Sequence, residues 1–372
     1  MQEETLFGED IDDEDVDDQL DPLEISQAER RLVTQPYDLS LATLVDDIER
    51  DRLLLNIEYQ RKYVWDRAKA SRLIESFLIN IPVPVCYFAE NEDGTYEVID
   101  GLQRITTIKM FLKDKFPLRG VSVLTELEGL HFSEMSPKDQ RRLQNRTVRC
   151  IVITEDSHPD IKFDVFERLN TGSARLAHQE LRNCIYRGEL NTFLKSLAEE
   201  NYFKNILGGL RNQRMEYAEL ALRFFALRSD FESYRPPLRQ LLNTYMRDHQ
   251  KEQPSTADIL IFKETCKTVS RIFGEEAFRL PSKSSGKQLG AFNKALFDAI
   301  MLPLSFADRA KVIQKDDAVR KLRNNLIENE EFSTAIGRAT ADKSRMKTRT
   351  HAFSDGLKKI GIECALPQIP IK

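Results

Sequence analysis

The chain has 372 residues, 41% of them hydrophobic, and a formal net charge of -5. That length and apolar content bury at least one large core and make two domains the expected number, which excludes a fibre or a wholly disordered chain. No apolar run approaches the ~20 residues that cross a bilayer, and the N-terminus is acidic with no basic-then-apolar leader, so a cytosolic protein with no membrane partner is expected.

Charge is unevenly spread. The first 24 residues hold 12 Asp and Glu and no Lys or Arg, which leaves 48 acids against 55 bases in the remainder. A run such as Asp12-Asp13-Glu14-Asp15 cannot bury itself, so residues 1–35 read as an acidic disordered tail. Such a tail either solubilises the chain or competes with nucleic acid for a basic face on the body. Between Pro36 and Leu55 the apolar pattern Leu39, Leu41, Leu44, Ile48, with Ser40 as an N-cap residue type, reads as a short amphipathic helix. A second helix is expected over 66–79, with Leu73, Ile74, Phe77 and Leu78 on one face and Asn80-Ile81-Pro82-Val83-Pro84 stopping it. The period then changes. Val85-Cys86-Tyr87-Phe88 reads as a buried strand, Asn91-Glu92-Asp93-Gly94 as a hairpin turn and Tyr96-Glu97-Val98-Ile99 as the returning strand. A further strand over 147–153 looks buried on both faces. After Phe163 the pattern is helical: segments near 161–169, 176–187, 190–201, 216–228, 235–250, 256–273, 289–301, 305–314, 316–327 and 332–338 are separated by Gly, Pro or polar breaks. The fold class is therefore α+β, a mixed α/β unit over 36–170 followed by a mainly helical domain over 171–372. Cys86, Cys150, Cys184, Cys266 and Cys364 form no C-x-x-C pair and read as reduced packing residues.

The segment that carries chemistry is Asp100-Gly101-Leu102-Gln103-Arg104, which joins the second strand to a helix containing Ile105, Ile108, Met110, Phe111 and Leu112. A glycine between strand and helix lets the backbone approach a ligand, and the helix start offers unpaired N–H groups and a partial positive charge. Arg104 could fork onto phosphate, Gln103 could orient a water or a base edge, and Asp100 could accept a ribose hydroxyl or hold a hydrated metal ion. Thr106 and Thr107 add hydroxyls. The plainer alternative is an ordinary turn in which Asp100 caps the helix and Arg104 pairs with an acid. Two other segments bear on the choice. Ile57-Glu58-Tyr59-Gln60-Arg61-Lys62-Tyr63-Val64-Trp65 places aromatic faces among basic side chains, a composition that can stack a base and grip its phosphates, although Trp65 reads better as a staple for the next helix. Phe163 to Gly172 ends a helix at Asn170-Thr171-Gly172, and Glu180, Arg182 and Asn183 on the helix that follows are either a buried network or a solvated face, the solvated face being the favoured reading.

Together these segments resemble the N-terminal domain of the GmrSD-type modification-dependent restriction enzymes, which are related to the ParB/sulfiredoxin-like fold. The resemblance runs through Tyr59-Gln60-Arg61 with Trp65, Val98 to Arg104, and Phe166-Glu167-Arg168-Leu169-Asn170-Thr171-Gly172 with Glu180-Leu181-Arg182-Asn183, in order and spacing. It implies nucleoside triphosphate binding and hydrolysis with Mg²⁺ at Asp100, Gln103 and Arg104, in a defence system that senses modified DNA. It further implies that Gly101, Thr106, Asn170, Thr171 and Gly172 bind the nucleotide, and that Tyr59, Gln60 and Arg61 line the same nucleotide-binding cavity or the surface that senses DNA. The family usually has Gln where this chain has Leu102, so one polar contact is missing. Members often carry a C-terminal HNH nuclease, but His131, His158, His178, His249 and His351 are not clustered with Asn and Asp, so any cutting is expected from elsewhere. Pro281-Ser282-Lys283-Ser284-Ser285-Gly286-Lys287 lacks the leading glycine of a phosphate loop and reads as an exposed basic loop.

Near the end, Lys343, Arg345, Lys347 and Arg349 form a basic stretch, either solvated or in contact with DNA phosphates. The leading reading is a DNA-linked nucleotide sensor or NTPase. Its rivals are a metal-dependent nuclease using Asp100 with Glu58 or Glu180, and a non-catalytic DNA-binding or assembly subunit. The expected partners are a nucleotide and DNA, with a separate effector subunit or further copies of the chain as additional ones.

Overall fold

The computed structural model describes residues 31–55, 63–169, 176–212, 214–281, 290–337 and 340–369. The chain is α+β, with one five-stranded mixed sheet early and helices thereafter. The acidic run, Tyr59-Gln60-Arg61, Asn170-Thr171-Gly172 and most of the 281–287 loop lie outside the described residues. Among the described residues, no helix is long and apolar enough to cross a membrane. The chain divides into two compact units between Ile185 and Tyr186.

The first unit contains β1 (Thr34–Ser40), α1 (Leu41–Glu49), β2 (Leu53–Leu54), α2 (Arg67–Ile79), β3 (Cys86–Glu90), β4 (Tyr96–Asp100), α3 (Leu102–Leu112), α4 (Pro137–Gln144), β5 (Thr147–Ile153), α5 (Pro159–Leu169) and α6 (His178–Ile185). Ser40 starts α1 as its residue type dictates, its hydroxyl accepting from the Thr43 N–H at 3.0 Å. Asp66 does the same for α2 through Lys69 N–H at 2.7 Å, and Asn80 ends that helix in the left-handed region at φ 66°. The strand order is β1-β5-β3-β4-β2. The pairs β1/β5 and β3/β4 are antiparallel, and β5/β3 and β4/β2 are parallel. Alternate strand residues Cys86, Phe88, Val98, Val148, Cys150 and Val152 join Leu44, Ile48, Ile74, Phe77, Ile105, Ile108, Phe111 and Leu143 from α1 to α4 in one core.

Three features differ from the sequence reading. Thr34–Ser40 is an edge strand, although nearly every residue in it is exposed and Pro36 sits mid-strand. Val33 and Leu41 bond to the residues flanking β5, so by parity Pro36 turns its missing N–H outward, where an edge strand tolerates it. Second, β5 alternates over its first half, with Thr147 and Arg149 exposed, so it is not buried on both faces throughout. Third, Glu180, Arg182 and Asn183 are not a solvated face. Every residue of α6 from His178 to Cys184 is buried. Glu180 accepts from Ala177 N–H at 2.7 Å, His178 Nε2 lies 3.0 Å from Glu167 Oε1 of α5, and Arg182 donates to Gln179 Oε1 at 3.3 Å. Phe163 stacks on His178, with the Arg182 guanidinium 5.9 Å from its ring.

The second unit is helical. It comprises α7 (Glu189–Ala198), α8 (Asn201–Lys204), α9 (Glu216–Asp230), α10 (Leu238–Asp248), α11 (Thr256–Phe273), α12 (Lys294–Ser305), α13 (Arg309–Gln314), α14 (Asp316–Glu328), α15 (Glu330–Gly337) and α16 (Lys343–Lys359). At its centre Asp298 of α12 takes both Nε and Nη2 of Arg223 of α9 at 2.7 Å and Nη2 of Arg349 of α16 at 2.9 Å. These three side chains are at most 1% exposed. Arg349 also donates to the backbone carbonyl of Thr340, and Tyr234 to that of Ala341, which fixes the connection into α16. Burial pulls the Arg349 guanidinium below its ordinary range, and the Asp298 carboxylate opposes that shift. Arg349 is therefore a core residue and cannot reach a DNA backbone, contrary to the sequence expectation.

Candidate functional site

The Asp100–Arg104 turn sits where β4 becomes α3, as its residue types require. Gly101 is the N-cap at φ 100° and no side chain caps the helix there. The first intrahelical bond runs from Ile105 N–H to Gly101 O at 2.9 Å. The glycine is required for a reason the sequence did not show: a Cβ at 101 would lie 2.5 Å from Cys86 Sγ. The close approach is thus to β3 beneath the turn. Cys86 and Cys150 are register partners on β3 and β5, both fully buried. The adjoining Cys150 thiol, which donates to Val148 O at 3.8 Å, lowers the Cys86 thiol's pKa against the upward push of burial, with help from the Arg104 charge. Cys150 itself is raised, first by Cys86 and then by burial.

Arg104 does pair with an acid, and the acid is Asp100 itself: Nη2 donates to Asp100 Oδ2 at 2.7 Å. Its Nη1 donates to the carbonyls of Pro84 and, at 3.3 Å, Val85. The arginine is only 12% exposed, whereas Asp100 remains 40% exposed. Of the five guanidinium N–H groups, these bonds leave Nε and one Nη2 hydrogen for a ligand. Gln103 is also partly committed, because its Oε1 accepts the Val64 N–H at 3.1 Å. The buried Thr107 hydroxyl donates to Gln103 O at 2.7 Å. With its hydrogen so used, Thr107 accepts from Tyr63 OH at 2.9 Å. Two bonds therefore clip the stretch after Arg61 onto the first turns of α3. Burial chiefly raises the Tyr63 phenol's pKa. Trp65 packs against the core with Lys69 Nζ 4.8 Å from its ring, the staple its position predicted. Thr106 is half-buried.

The turn therefore brings together Asp100, Gly101, Gln103 and Arg104 with Thr107, whose hydroxyl the sequence placed at the helix entry, with Tyr63 of the aromatic-basic segment, and with Cys86, which the sequence offered only as a packing residue. Only long-range packing reveals the Cys86 approach and the Tyr63–Thr107 bond. Among the described residues, no group of three or more His, Cys, Asp and Glu side chains could hold a metal ion. Of the two carboxylates considered beside Asp100, Glu58 lies outside the described residues and Glu180 is buried at the start of α6. In the second unit Lys343 and Lys347 are half-buried on α16, and Arg345 donates to Thr334 O at 3.2 Å.

Residues 41–187 match the family described as the GmrSD restriction endonuclease, N-terminal domain. The match ends within two residues of the end of the first compact unit. No curated protein matches the chain significantly.

Proposed function

We propose, from the premise that residues 41–187 are a GmrSD-type N-terminal domain, that the chain is the nucleotide-responsive component of a DNA restriction system. The observation that carries this reading is the β4–Gly101–α3 turn, an uncapped helix start flanked by a half-exposed carboxylate and a braced arginine. The N–H groups of the first α3 turn and its dipole would take phosphate oxygens. Arg104 would act mainly by position, holding Asp100 and adding its two remaining donors to the same anion. Gln103 would keep its amide N–H₂ for a base edge or a water, since its oxygen is held by Val64. Asp100 would accept a ribose hydroxyl or hold Mg²⁺. A single half-exposed carboxylate fits an Mg²⁺ that arrives with a triphosphate rather than one bound on its own. That ion would neutralise phosphate charge, and hydrolysis would follow from positioning and electrostatics.

The test is Asp100→Asn, which keeps the shape of the side chain and an oxygen for Arg104. Calorimetric titration with each Mg²⁺-nucleoside triphosphate should show affinity weakened at least tenfold (~1.4 kcal/mol), with the thermal midpoint nearly unchanged. Equal affinity in the variant, or no nucleotide binding by the parent chain, defeats the assignment.

A further inference from the structure

We infer that the flank formed by α2 and α4 is a contact surface for the DNA backbone, an inference that rests on the DNA-restriction reading above. Six exposed cations lie on these two packed helices: Arg67, Lys69 and Arg72 on α2, and Lys138, Arg141 and Arg142 on α4. None of the six forms an ion pair. The neighbouring α1 shows what ordinary surface pairing looks like in this unit. Its Asp46, Asp47 and Glu49 are each matched by Arg50, Arg52 or Lys113.

The acids of α2 and α4 are turned to backbone duty instead. Glu75 accepts from the N–H groups of Ser122, Val123 and Leu124, at 3.0, 2.7 and 2.8 Å. Asp66 caps the start of α2, and Asp139 accepts from the Ser136 hydroxyl that caps α4. These acids are held by amides and hydroxyls and form no ion pair with the cations on the solvent side. Arg146, just past α4, locks the two helices together by donating to Asn80 Oδ1 at 2.8 Å and Leu78 O at 3.2 Å. Lys138 and Arg142 precede it at one-turn intervals, ~6 Å apart on one helix face. Exposed cations without ion-pair partners on one face suit a polyanion with regularly repeated charge, and duplex DNA presents one phosphate per ~3.4 Å of axis on each strand. The rival surface on α16 has lost Arg349 to the core.

The test follows a labelled duplex oligonucleotide by fluorescence anisotropy as it is titrated with full-length chain over a salt series. Lys138→Ala with Arg141→Ala and Arg142→Ala should lower affinity at least tenfold at low salt. The slope of log K against log salt should fall by ~2–3, close to 0.9 per phosphate contact removed. The charge-preserving pair Arg141→Lys with Arg142→Lys should keep the parent slope, as should Lys343→Ala with Lys347→Ala on α16. An unchanged slope in the α4 alanine variant overturns the inference. So does an equal loss in the α16 variant, or a parent chain that fails to bind DNA at low salt. Nucleotide affinity of the α4 alanine variant should match the parent, so failure here is distinct from failure of the Asp100→Asn test.

Discussion

Gly101 shows how one residue type serves two constraints. Its φ of 100° is left-handed, and Cys86 Sγ fills the space a Cβ would need. Gly101→Ala should therefore cost ~1–3 kcal/mol of unfolding free energy by urea titration. Adding Cys86→Ala should return the steric part and leave the backbone part, so a strictly additive double variant would refute the contact. The five-residue motif was legible as a strand-to-helix turn because its neighbours change period there. What was not legible is that Arg104 finds acceptors at Pro84 and Val85, across the sheet, and that Gln103 is held by Val64. Both are long-range pairings that no local spacing encodes.

At the scale of elements, α2 holds the 119–124 loop through Glu75. Burial would raise this carboxyl's pKa, but the N–H groups of Leu124, Val123 and Ser122 together hold it below the usual range. Its stabilising contribution is thus present above the ordinary glutamate value and is lost as pH falls through the lower folded value. Glu75→Gln should lower stability at neutral pH by ~1–3 kcal/mol. The gap between variant and parent should close on acidification, and a gap independent of pH would contradict the pairing. The caps at Ser40, Asp66 and Asn80 made α1 and α2 readable, and the Asn91–Gly94 turn did so for the β3/β4 hairpin. By contrast α4 has one buried residue, Leu143, and so no apolar period to detect. In α16, Met346, Thr350, Phe353 and Leu357 do keep helical spacing, but the basic side chains between them mask it. The strand at Thr34–Ser40 has no alternation at all; it is a strand because β5 pairs with it.

The whole molecule is two compact units with different kinds of core. The first packs an apolar layer between sheet and helices, and the second packs helices around an apolar core that also encloses the Arg223–Asp298–Arg349 network. Asp298→Ala would leave Arg223 and Arg349 buried without their shared carboxylate, so the helical unit should lose ~3–5 kcal/mol in chemical denaturation. A loss below 1 kcal/mol would show that the network is not what anchors α9, α12 and α16. All but two residues of the family match lie in the first unit, and there the functional claim stands or falls. Hydrogen exchange of the full chain, with and without each Mg²⁺-nucleoside triphosphate, measures it directly. The account predicts slowed exchange at the amides from Gly101 to Arg104, because these precede the first intrahelical bond at Ile105 and phosphate oxygens would engage them. Protection confined to other segments, or no protection with any nucleotide, would contradict it.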